Sequence, residues 1–90
     1  MDAPTGPLWS QKQAIGYEVA LEAINDVIAG YSEQIALEQT HPAPNTARIT
    51  WLEMRTDQAG SVHHSLNVCD DGNVQQAISE FSAIVRARDQ

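Results

Sequence analysis

Six apolar residues, Tyr17, Leu21, Ile24, Ile28, Tyr31 and Ile35, recur at steps of four, three, four, three and four along the first part of the chain. That spacing holds them on one side of an α-helix and on no single face of a strand. Ser10 precedes the run with Gln13 three residues on, the arrangement of a capping box, and Trp9 is placed to pack back on Ala14. Pro42 has no N–H to donate and disfavours helical geometry at His41, so the predicted helix ends near Thr40. Its 30 residues, 10–39, would extend roughly 45 Å, against a diameter of roughly 30 Å for a compact chain of 90 residues. The seam keeps its phase through Gly30, so the surplus length is expected to project and to pack on a second copy. Gly16, Ala20, Ala23, Val27 and Gly30 lie beside the seam and are small enough to let another backbone come close.

A shared core also suits the composition. Leu, Ile, Val and Phe number 19 of 90 residues, with twelve alanines besides, which is close to the roughly 20% at which a charged chain stays unfolded. A domain this short buries only about 60% of the surface its unfolded chain exposes. Both facts favour a homodimer.

The middle of the chain reads differently. Residues 48–56 are rich in β-branched and aromatic side chains and free of Gly and Pro, Asp57, Gln58, Ala59 and Gly60 supply turn chemistry, and residues 62–69 read as a second strand. In the resulting antiparallel hairpin Ile49 faces Val68, Trp51 faces Leu66, Glu53 faces His64 and Arg55 faces Val62, with Leu52 and Met54 on the reverse face. After Asp70, Asp71 and Gly72, Asn73 is expected to cap a last helix running to about Arg88, with Val74, Ala77, Ile78, Phe81, Ile84 and Val85 along one side. The expected fold is therefore α+β in the order αββα, a single domain over 10–90 behind a flexible arm at 1–9. Because a two-stranded sheet is rarely stable alone, dimerisation is expected to complete it.

Functionally, a net charge of −7 opposes binding to nucleic acid or to an anionic membrane surface. No apolar run approaches the roughly 20 residues of a membrane span, and the start of the chain lacks the basic flank of a signal peptide. With Cys69 alone there is no internal disulfide, and a cytoplasmic protein is expected. Phosphate-binding glycine loops, catalytic serine motifs and dinucleotide fingerprints are absent from the sequence. His63 and His64 would point to opposite faces of a strand, so neither a metal site nor a cofactor is expected. Glu53 with His64 reads as a cross-strand ion pair and Cys69 as packing, which leaves no catalytic residue and no enzyme.

The reading that follows is a small acidic noncatalytic interaction module, an inhibitor, antitoxin or adaptor, working as a homodimer through the seam. Glu18, Glu22 and Asp26, spaced by four, form a negative stripe for a basic protein partner, with Leu52 and Met54 as apolar anchors. The alternative is a small-molecule-binding protein with an apolar pocket between helices and sheet, lined by Tyr17, Tyr31, Trp51 and Phe81.

Overall fold

In a computed structural model, residues 9–88 are described and form three helices: α1, Gln11–Gln39; α2, Thr46–Ser65; and α3, Asp71–Arg88. Most of the expected arm, residues 1–8, lies outside the described residues. The expected α+β fold is corrected to all-α, because α2 occupies the positions read as a hairpin and no strand is present among the described residues. With the sheet goes the need for a second copy to complete it.

α1 follows its sequence signals closely. The Ser10 N–H donates to Gln13 Oε1 at 2.8 Å while the Gln13 N–H donates to Ser10 Oγ at 3.1 Å, so two of the helix's orphan donors are satisfied reciprocally. The helix runs unbroken through Gly30 and ends at Thr40, whose N–H donates to the Ala36 carbonyl and whose hydroxyl donates to that of Leu37. At its length of 29 residues it spans roughly 43 Å. The connection to α2 is held by Glu38, whose carboxylate accepts from the Asn45 N–H at 2.8 Å.

α2 starts at a cap the hairpin reading passed over: Asn45 Oδ1 accepts from the Arg48 N–H at 3.1 Å. Its threonines lower helix propensity, yet here they satisfy their hydroxyls on the preceding turn, Thr50 donating to the Thr46 carbonyl and Thr56 to the Leu52 carbonyl. The expected cross-strand pairs are therefore replaced by a helical series, Ile49, Leu52, Thr56, Ala59, His63 and Leu66, at steps of three and four. α3 begins earlier than Asn73. Asp70 is its cap, with its carboxylate accepting from the Asn73 N–H and its carbonyl from the Val74 N–H.

Contacts along the helices give the topology. Arg48 donates to Gln34 and Trp51 packs on Tyr31, so α2 runs antiparallel to α1. Gln13 donates to Asp71 at one end and Arg88 donates to the Asp26 carbonyl at the other, so α3 runs parallel to α1. Parallel dipoles repel, and the two termini are chosen to offset this: Asp70 and Asp71 sit at the positive end, Arg86 and Arg88 at the negative end. α2 and α3 each pack chiefly on α1 and hardly on each other.

The core combines Ala20, Ala23, Ile24, Val27 and Tyr31 of α1 with Leu52 and Ala59 of α2 and Val74, Ala77 and Phe81 of α3. The small residues beside the seam are thus buried more deeply than much of the seam itself. Val74 packs near Gly16 and the Arg88 side chain covers Gly30, which places α3 on that small-residue side. Of the seam, Ile24 and Tyr31 are buried, while Tyr17, Leu21, Ile28 and Ile35 are half-buried. α3 stops beside Gly30, and no residue of α1 beyond Tyr31 or of α2 before Leu52 is buried. A two-helix tip projects from a three-helix body.

Candidate functional site

The groups weighed for chemistry do not converge. Glu53 and His64 share α2 and stand eleven positions, or about 16 Å, apart along it, so the cross-strand pair does not form. His63 is half-buried and His64 exposed one position on. Cys69, read as a packed strand residue, is an exposed thiol in the α2–α3 connection, where its N–H donates to Asn67 Oδ1 at 2.8 Å. Among the described residues no three His, Cys, Asp or Glu side chains gather as metal ligands would, and no helix is long and apolar enough to cross a membrane.

The residues of the expected acidic stripe lie on α1, but the expected apolar anchors do not lie beside them. Glu18, Glu22 and Asp26 are exposed along α1. Leu52, expected beside them as an anchor, is 0% exposed and packs in the core, which removes it from any partner surface. Met54, two positions along α2 and about 200° around it, faces away from α1 and is 47% exposed. It shares no surface with the stripe. In place of these anchors, α1 itself supplies Ile15, 57% exposed, and Val19, 43% exposed, on the line continued by Glu22, Asp26, Glu33 and Leu37. Steps of four, three, four, seven and four keep these six residues on one side of the helix, apolar at both ends and acidic between.

A second feature lies between α2 and α3, where their poor mutual contact leaves a cavity of about 200 Å³. Val27 and Tyr31 form its floor, Ala59 and Val62 one wall, Phe81 and Ile84 the other. Arg55, Gln58 and Glu80 stand at its margins. Of the four aromatics expected to line a pocket, Tyr31 and Phe81 do so. Trp51 meets Tyr31 edge to face, with ring centroids 6.3 Å apart and planes at 76°. Tyr17 lies outside the cavity, half-buried nearer the start of α1.

No protein-family model, curated protein or solved structure matches the chain.

Both features contain residues the sequence reading passed over. Ile15 and Val19 were legible as an apolar i, i+4 pair running into Glu22 and Asp26, but they lie off the main seam. Arg55 and Val62, expected to face one another across the hairpin, instead lie seven positions apart on one side of α2, and the cavity they border with α3 follows only from the helix.

Proposed function

We propose that the chain is a noncatalytic protein-interaction module, of the inhibitor, antitoxin or adaptor kind, whose α1 helix receives a basic amphipathic segment of a partner protein. The observation that carries this reading is the exposure of Ile15 and Val19 on the same helix line as Glu22 and Asp26. Ile15 and Val19 are already about half covered, so burying the rest of each stabilises a complex by about 1 kcal/mol, while the flanking carboxylates steer a positively charged partner and discourage acidic ones. The net charge of −7 extends the same field over the surface.

The test uses a leucine–lysine amphipathic helical peptide of about 18 residues and its leucine–glutamate counterpart. The lysine peptide is expected to bind, with an on-rate that falls as salt rises. Changing Glu18, Glu22 and Asp26 together to their amides should slow association, and Ile15→Ser with Val19→Ser should speed dissociation. Equal binding of both peptides, or an unchanged on-rate in the amide variant at low salt, would remove the proposal.

Pairing of two copies, the other part of this reading, belongs at the tip, because like charges oppose it along the stripe and the core already takes Ile24 and Tyr31. There the Glu33 and Glu38 carboxylates are partly offset by Arg48, beside the exposed Leu37 and Trp51. Sedimentation equilibrium is expected to show a dimer that Leu37→Glu dissociates. A monomer at every concentration would refute self-pairing and leave the stripe proposal standing.

A further inference from the structure

We infer that the cavity between α2 and α3 is a binding site for a small apolar monocarboxylate, an acid with a body of a single ring or a short aliphatic chain, held at its head by Arg55. The size of the site sets the size of the ligand. At about 200 Å³ the cavity lies below the roughly 300–1,000 Å³ typical of sites for drug-sized molecules. A six-carbon chain or one aromatic ring fits that scale, and the Val27, Tyr31, Val62, Phe81 and Ile84 side chains offer it an apolar lining.

Arg55 determines the charge of the head group. Among the described residues it is the only cationic side chain lining the cavity, and two neighbours touch it. Its guanidinium carbon lies 5.9 Å from the Trp51 ring centroid, and Nη1 donates to Gln58 Oε1 at 3.1 Å. Nε, by contrast, is buried and has no acceptor. A buried N–H without a partner costs free energy that an incoming acceptor restores, and the Nε–Nη2 edge of a guanidinium matches the two oxygens of a carboxylate. Nε is shut off from solvent, so uptake requires the flexible Arg55 stem to swing towards the cavity.

Glu80, on the opposite margin, is the one carboxylate among the described residues that line the cavity. It is exposed and accepts from Gln76 Nε2 at 3.0 Å, one turn back along its own helix. It therefore discriminates against ligands with a second negative charge, which is why the inferred acid carries only one.

The experiment titrates hexanoate, hexanol, hexylammonium and acetate against the full chain carrying Trp9→Phe, so that Trp51 is the sole indole reporter. Hexanoate is expected to change Trp51 emission saturably, with hexanol, hexylammonium and acetate each weaker by about tenfold or more, as loss of one charged or apolar anchor entails. Arg55→Met, which keeps the stem and removes the charge, should reduce hexanoate binding to the level of hexanol, and Arg55→Lys should restore part of it. Circular dichroism reports whether Arg55→Met is folded. If it is not, Ile84→Phe, which narrows the cavity without adding an indole and leaves Arg55 in place, is expected to abolish hexanoate binding. Hexanol equal to hexanoate, acetate equal to hexanoate, undiminished binding by Arg55→Met or by Ile84→Phe, or no saturation with hexanoate would each overturn the inference. The peptide experiment reads a different face of the molecule and stands or falls separately.

Discussion

Below the level of Gly30, α1 is flanked by two helices; above it, α2 is its only neighbour among the described residues. The lower body holds nearly every buried side chain, including Ile24, Val27 and Leu52, the largest that are fully buried. The tip beyond it contains Ile35, Leu37, Ile49 and Trp51, none of them buried. The apolar content is similar in kind. What differs is whether a third helix is present to exclude water, so residues of equal hydrophobicity contribute unequally to stability.

Truncations of equal chemistry test that contrast most severely. Ile24→Ala is expected to cost about 2–5 kcal/mol, because it empties a fully enclosed position, whereas Leu37→Ala, 64% exposed, should stay within about 0.5 kcal/mol at concentrations where the chain is a monomer. Urea unfolding of the two variants decides the matter, and similar losses would erase the distinction between body and tip.

Capping gives a gentler version. Asp70→Ala and Asn45→Ala each remove a helix cap and each should cost about 1 kcal/mol at the helix concerned. Native-state hydrogen exchange is expected to register Asp70→Ala across the body, and Asn45→Ala chiefly as faster exchange in residues 46–51 and 32–39. Tip amides as slow as those around Ile24 and Ala77 would contradict the division.

Two glycines provide the smallest effects. Gly60 in α2 has open space where a Cβ would stand, so Gly60→Ala should stabilise by about 0.5–1 kcal/mol through helix propensity alone. At Gly30 the same Cβ meets the Arg88 guanidinium, which must move off the Asp26 carbonyl. The propensity gain and the lost hydrogen bond then nearly cancel. In an Arg88→Ala background Gly30→Ala is expected to recover about 1 kcal/mol, a non-additivity read from thermal melts of the double-mutant cycle.

α1 and the apolar side of α3 were legible because cap, period and terminator agree: Ser10 with Gln13, the seam, then Pro42; and Val74, Ala77 and Phe81 in step. α2 was not, and the cause is physical. Its inward line includes the buried Ala59 and the half-buried Thr56 and His63, which dilute the helical period, while Trp51 and Met54 lie off that line and simulate a second apolar face. Gln58, Ala59 and Gly60 resemble a turn only if Asn45 is overlooked as a cap and the i−4 hydroxyl bonds of Thr50 and Thr56 are not anticipated. The error carried into the site. A strand puts Leu52 and Met54 on one surface, whereas a helix sends Leu52 inward and Met54 outward. Glu18, Glu22 and Asp26, all on α1, do not depend on that choice.

The separation of α3 from its docking surface also sets what its docking costs. Gln34 and Arg48 meet across 14 positions, whereas the Gln13–Asp71 and Arg88–Asp26 contacts close loops of 58 and 62. Closing the longer loops costs about 1.3 kcal/mol more in chain entropy, and α2, which hardly touches α3, does little to guide it. The α1–α2 contacts are therefore the cheaper to close, and wherever α3 is undocked Ala20, Ala23 and Val27 lose their cover, so the small-residue side of α1 is the surface most open to pairing with another chain.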